Sequence, residues 1–417
     1  MRKPDRTLEL ATLGYEFISS EARVRGSDVF DVSLLGRPVT CLTGPEAAAV
    51  FYDESMFERR AALPNLVKET LVGQDGVQTL DGATHRARKA MFMSLMTPHR
   101  MAALSELAAE AWDEAAHRWA RNGRVVLFDA AGEVLARVAC AWAGVPLPVA
   151  GSAELARTLV EMVDGFATLA PRHWRARRAR NRAELWARKV IRDIRADLLR
   201  VPEDTAASTF ARGTDGAGKL LPVPVAAVEL LNVVRPTVAV CWYVAFTGHA
   251  LHRSPQWRER LRDSDAETDH FVQEVRRFYP FAPFLGARVR RDFSWQGHEL
   301  QYGRLTLLDV YGINHDPRVW DDPEVFDPNR FAGRVVGPYH FIPHGGGRPE
   351  TGHRCAGEQV TVELLKPAVR LLARLDYHVP GQDLRFPLNR IPSRLRSGFL
   401  MTGIRVPAAA TTEPEPA

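Results

Sequence analysis

Long uncharged apolar runs are missing from this 417-residue chain. The nearest approach, 225–251, is interrupted by Glu229, Asn232, Arg235 and Pro236, which argues against a stable membrane span. Cysteine is scarce. Cys41, Cys140, Cys241 and Cys355 lie far apart with no Cys-x-x-Cys pair, so a disulfide framework is not expected and a reducing compartment is. The N-terminal "MRKPDRTLELATLGYEF" starts basic but lacks an apolar core and a small-residue cleavage site. No signal peptide is expected, and the location is expected to be cytoplasmic. Neither charge sign dominates: 55 Lys and Arg stand against 50 Asp and Glu, a formal net charge of +5. That is weak evidence for an anionic partner.

What is present is a soluble composition, with 46% hydrophobic and 25% charged residues, enough for a sizeable core. Apolar positions recur at helical spacing over 44–54, 83–96, 99–121, 125–144, 152–168, 174–200, 222–251 and 266–278. Strand character is confined to "VFDVSLLGRPVTCL", to "ARVRRDFSWQGHELQYGRLTLLDV" with a Gln296-Gly297 turn, and to the segment "LDYHVP…GIRV" near the end. The expectation is one large, mainly α domain with minor β over 1–406, in which strands from both ends of the chain meet, and a short disordered tail over 407–417. The basic run 171–195, with Trp174 and Trp186, reads as an amphipathic helix with a solvated cationic face rather than a nucleic-acid surface, because Leu185, Val190, Ile191 and Ile194 supply an apolar stripe.

The strongest chemical signal is "FIPHGGGRPETGHRCAGEQVTVELLK" (341–366). Glycines and small residues surround Cys355, and a helix follows. His353, Arg354 and backbone N–H groups are expected to favour its thiolate. Three readings stand side by side: a small buried side chain, a zinc site with His344 and His353, or a thiolate ligand to haem, for which the glycines make room. Upstream, Glu274 and Arg277 in "FVQEVRRFYP" share one helix face, and Arg330 in "PNRF" is placed to close a Glu–Arg–Arg triad.

The ordered set of Glu-x-x-Arg, Pro-x-Arg-Phe and a Gly-rich loop with Cys-x-Gly resembles the haem-thiolate cytochromes P-450. The resemblance implies the cytochrome P-450 fold, haem b as cofactor, Cys355 as the iron ligand, and a structural role for Glu274, Arg277 and Arg330. Two departures narrow it. The central helix, "ELLNVVRPTVAVCWYVAF", has Arg235-Pro236 where an acid–threonine pair is usual. Arg348 stands seven residues before the cysteine, where phenylalanine is usual. Both features are similar to the bacterial fatty-acid peroxygenase branch.

That branch implies hydroxylation of medium- or long-chain fatty acids at Cα or Cβ with hydrogen peroxide, without a redox-partner protein. A monomer is expected. Oxidative decarboxylation to terminal alkenes is the alternative, and a non-catalytic haem and fatty-acid sensor is an alternative of another class. Arg235 is expected to bind the substrate carboxylate; pairing with Glu229 is the competing reading. Pro236 is expected to open the helix over the haem. By resemblance Gln78 is a distal-pocket residue at a position where histidine is associated with decarboxylation, and Val72 stands where phenylalanine is frequent. Phe281 and Phe284 are expected to line the pocket. His85, Lys89 and Arg59 are expected against the haem propionates, and Arg354 beside the cofactor.

Overall fold

The computed structural model describes residues 4–148, 151–166, 168 and 171–407. Apart from Pro407, the expected tail lies outside the described residues. The helical periodicities become the helices Pro45–Phe51, Gly82–Met93, Pro98–Asn122, Leu127–Ala143, Ser152–Asp164, Pro171–Arg195, Val223–Ala239, Cys241–Arg253 and Asp265–Phe278. Thr97 starts the Pro98–Asn122 helix by accepting from the Arg100 N–H, with proline at the first helical position.

Val223–Ala239 is the axis. Its residues from Ala226 to Val234 are all buried, because Leu127–Ala143, Ser152–Asp164, Pro171–Arg195 and Ala206–Arg212 pack around it. A helix covered on every side needs no polar face, which explains its composition. The stretch Val223–Arg253 is long and apolar enough to cross a membrane, but its most apolar window is 78% buried inside the fold. Pro236 does not break this helix. The helix continues to Ala239, and the interruption falls at Val240.

Strands from the start of the chain do pair with distant ones. Arg37–Leu42 runs parallel to Leu305–Asp309 and antiparallel to Val29–Leu34. Phe284–Val289 and Phe57–Glu58 complete this five-stranded sheet. The C-terminal strands do not join it. Asp376–His378 and Leu400–Arg405 form a separate sheet with Arg124–Val126. That correction has a simple cause: the Glu358–Arg374 helix packs on Pro98–Asn122, so the chain emerging from it meets the strand that follows that partner. Gln296 and Gly297 form the expected hairpin, both with φ positive (49° and 72°), as a tight two-residue turn requires.

Asp309 closes the large sheet. Its Oδ1 accepts from the Gly312 N–H at 2.7 Å and its Oδ2 from Thr43 at 3.4 Å. Burial pushes its carboxyl up to about 7. The folded state therefore binds a proton that the unfolded chain releases near pH 4, so stability falls as pH rises from about 4 to about 7. Asp309→Asn is expected to flatten that slope, by on the order of a few kcal/mol across the window, in denaturant melts at pH 5 and pH 8.

Candidate active site

Cys355 sits at the end of the glycine-rich loop. Its N–H donates to the His344 carbonyl at 2.9 Å. A Cβ added at Gly345 (φ +90°) would fall 2.5 Å from the Tyr52 hydroxyl, so the loop cannot tolerate a side chain there. Arg354 ties the loop to the helix behind it through Glu358 at 2.6 Å, and Arg276 reaches the same carboxylate. Burial alone would push Glu358 up, but Arg276 and Arg354 hold it down at about 2.

The Cys355 side chain opens into an internal cavity of about 330 Å³. Its walls include Val77, Gln78, Val233, Pro236, Phe281 and Leu285. The thiolate is not favoured by its own surroundings, contrary to expectation. Burial pushes the Cys355 thiol up, against smaller opposing effects of the Gly357 N–H and Lys89. Arg354 is committed to Glu358, and His353 faces Asp81 at 3.5 Å. A thiol open to a cavity but without a cationic partner of its own becomes a thiolate when it bonds a cation.

His344 is committed on both ring nitrogens, to Arg276 at 3.2 Å and Thr361 at 3.2 Å. That removes it from a zinc set with Cys355. Among the described residues the one potential ligand cluster is Glu54, His85 and His353.

The other donors suit a flat anionic group. His85 is buried with Nδ1 unpartnered, stacks on His353 with ring centroids 4.0 Å apart, and is held down to about 3 by burial, then by His353 and Lys89. The buried Arg59 guanidinium has the Phe51 carbonyl at 3.3 Å and the Phe51 ring at 4.3 Å, and no ion pair to a carboxylate among the described residues. Lys89 donates to the Arg354 carbonyl. A thiol on one side and three nitrogen groups awaiting negative charge fit a haem with its propionates.

Above the thiol, the axial helix presents Asn232, Val233, Pro236 and Thr237 to the cavity. Arg235, on the same helix, is buried but is not itself among the residues that line the cavity. Among the described residues its one hydrogen bond is a long contact, 3.4 Å, to Asn232 Oδ1, and its Nε has no partner. Glu229 does not neutralise it. That carboxylate belongs to Arg88, at 2.7 Å, and burial pushes it up against hydrogen bonds from Asn232 and Arg88. Burial and the nearby Arg180 pull the Arg235 guanidinium down to about 9, so it stays charged at neutral pH.

The cytochrome P450 family model matches residues 267–398, the stretch holding both motif arginines and Cys355. Solved structures match almost end to end. Cytochrome P450SP alpha (CYP152B1), solved in complex with (R)-ibuprophen, is 43% identical, with a TM-score of 0.94 over 97% of this chain and 99% of that one. Cytochrome P450EX alpha (CYP152N1) with myristic acid is 41% identical, with a TM-score of 0.92 over 96% and 97%. A variant of cytochrome P450 OleT with arachidonic acid is 34% identical, with a TM-score of 0.95 over 98% of each.

The chain belongs to the cytochrome P450 family. Its place is in the fatty-acid peroxygenase branch, with the CYP152 proteins. Curated relatives match more locally. Cytochrome P450 4A11 of Homo sapiens is 32% identical over 139 residues, 33% of this chain and 26% of its own length. Cytochrome P450 4A7 of Oryctolagus cuniculus is 33% identical over 131 residues, 31% of this chain and 25% of its own length.

In this P450 the three motif residues meet. Arg277 donates to Glu274 from Nε at 2.7 Å and from Nη2 at 2.8 Å, and Arg330 Nε donates to Glu274 at 3.2 Å. The arginines also donate to the carbonyls of Asn314, Asp321, Pro323 and Val325, which pins an irregular segment to the helix. The P450 family's iron-bearing cofactor is haem-thiolate.

Phe284 and Val72 are placed differently from expectation. Phe284 packs with Phe17, Phe30 and Leu307 on the far face of its strand, and the alternation of strand side chains gives the cavity Leu285 instead. Val72 ends the wide turn Lys68–Val72, is buried, and is not among the cavity-lining residues. The turn and Gly73 (φ 83°) redirect the chain so that Val77 and Gln78 face inward. Arg354 borders the cavity, but its guanidinium is taken by Glu358. Asn232 on the distal wall was not foreseen, nor were Arg88 behind it and Tyr52 against the cysteine loop. Asn232 was readable, since it lies three residues before Arg235 on one helix face.

Replacing Glu274 with Ala would leave Arg277, 1% exposed, without its counter-charge, a loss of about 3–5 kcal/mol. The expected outcome is a large fall in thermal stability and in haem loading, read by melting and by the Soret band.

Proposed function

We propose that this protein hydroxylates fatty acids at Cα or Cβ with hydrogen peroxide as oxidant, using haem b held by Cys355 and no redox-partner protein. The observation that carries this reading is a buried guanidinium, Arg235, with no carboxylate partner among the described residues. An isolated buried charge costs several kcal/mol, and a ligand bringing a carboxylate relieves it through charge-assisted hydrogen bonds. The fatty acids bound to P450EX alpha and OleT are ligands of this kind.

A haem would be held through Cys355 and would supply the oxygen-transfer chemistry. His85, Lys89 and Arg59 are the residues that would hold its propionates. Arg235 fixes the substrate carboxylate at the wall made by Asn232 and Pro236, where the usual acid–threonine pair is absent. The carboxylate then accepts a proton from hydrogen peroxide and returns it to the departing oxygen, so the substrate is its own general acid–base. A carboxylate held there keeps the first two methylenes nearest the reacting centre. The apolar wall of Val77, Phe281 and Leu285 takes the chain and excludes water. Gln78 has no dissociable proton to give, which favours hydroxylation over decarboxylation.

Arg235→Ala is expected to lower peroxide-driven turnover of saturated fatty acids by about 100-fold or more, with the thiolate-haem spectrum intact. Unimpaired turnover would overturn the substrate-carboxylate mechanism. Chromatographic product analysis is expected to give 2- and 3-hydroxy acids, and alkenes one carbon shorter as the main product would establish decarboxylation instead.

A further inference from the structure

The distal wall is backed by a buried hydrogen-bond chain whose far end, Arg88 and Glu229, the mechanism above does not use. It begins at the ion pair of Arg88 and Glu229, 2.7 Å apart, with side chains 8% and 0% exposed. Asn232 Nδ2 donates to the other oxygen of Glu229 at 3.0 Å and to Gln78 Oε1 at 3.3 Å. Asn232 Oδ1 accepts from Arg235 Nη2. A Cβ at Gly76 would fall 3.0 Å from Asn232 Nδ2 and 3.1 Å from Gln78 Oε1, so the backbone is closed down over this contact.

Neutral amides can face either way, but a carboxylate can only accept. Arg88 donates to Oε1, and the Val77 N–H also donates to this carboxylate. An Asn232 oxygen placed 3.0 Å from Oε2 would be repelled by it, which fixes Asn232 with its amide nitrogen toward Glu229 and Gln78 and its oxygen toward Arg235. Gln78 must then accept with its oxygen. Its amide nitrogen, which has no protein partner among the described residues, remains for the cavity, which Gln78 lines.

We propose that Glu229, clamped by Arg88, is a positioning residue that sets the polarity of this chain, so that Gln78 presents an N–H donor and Arg235 a cation to the same ligand. The inference rests on the fatty-acid reading and sharpens it: the bound head group must be an acceptor at both points, as a carboxylate is. Neither Arg88 nor Glu229 lines the cavity, so both act through Asn232.

The test is a double-mutant cycle on the haem-loaded enzyme. Replacing both members of the pair, Arg88→Leu with Glu229→Leu, avoids stranding one buried charge and is compatible with folding. Haem loading and the carbon monoxide difference spectrum check that the proximal side is intact. Myristate affinity, read from the haem spectral shift, is expected to weaken about tenfold.

The deciding readout is Gln78→Leu in both backgrounds. Its cost in myristate affinity is expected to be about tenfold in the otherwise native enzyme and within about twofold in the pair-deleted one, because coupled residues do not add. Equal costs in the two backgrounds would overturn the inference, since a merely structural pair would leave Gln78 independent. Should the pair-deleted enzyme not load haem, Glu229→Gln gives the second arm. It keeps the size but allows either amide orientation, and a full cost for Gln78→Leu there would equally overturn the proposal. Arg235→Ala in the native background separates the two levels. Retained hydroxylation there defeats the fatty-acid reading itself, whereas its loss together with additive Gln78 costs defeats only the polarity chain.

Discussion

An uncompensated positive charge inside the protein is the constraint on which the distal site depends. Arg235 lies on a helix covered by four others, where water cannot solvate it. Glu229 is taken by Arg88, and Glu184 by both Arg180 and Arg188. Arg180 adds repulsion rather than relief. Among the described residues Arg235 therefore lacks a counter-charge, and the cavity beside its helix is where a ligand can supply one. Specificity for an acid and the placement of its first methylenes follow from the same deficit.

The proximal side is built on another plan, in which every arginine of the frame has a carboxylate partner and each carboxylate serves two of them. Glu358 takes Arg276 and Arg354, and Glu274 takes Arg277 and Arg330. These buried pairs tie the helix before Pro280, the irregular segment 314–330 and the cysteine loop into one unit. Preorganisation matters there because the thiol is pushed toward its neutral form by burial and must be held in place for a metal. A satisfied proximal frame and an unsatisfied distal arginine divide the work between holding a cofactor and recognising a substrate.

Much of this was legible in the residues. Helices with one apolar stripe announced themselves by spacing, and the proximal triad by Glu-x-x-Arg and Pro-x-Arg-Phe, because these are local patterns with few alternative uses. Phe284 was misplaced because one step along a strand changes the face, and adjacent apolar residues such as Phe284 and Leu285 do not say which faces inward. Val72 was misplaced because the wide turn at 68–72 has no sequence signature of its own. Cys355 does not favour its thiolate, first because burial raises its pKa and then because a charge close in sequence, Arg354, is spent on Glu358.

Helical periodicity, the order of the motifs and the presence of Arg235-Pro236 where an acid–threonine pair is usual are properties of neighbouring residues, and the amino-acid sequence shows them directly. Only the tertiary structure decided that Glu229 pairs with Arg88, 141 positions away, and so leaves Arg235 unneutralised. Whether a buried charge has a partner depends on which side chains meet across the core. That is set by the packing of distant helices, so no local reading of "NVVRPTVAV" could settle it.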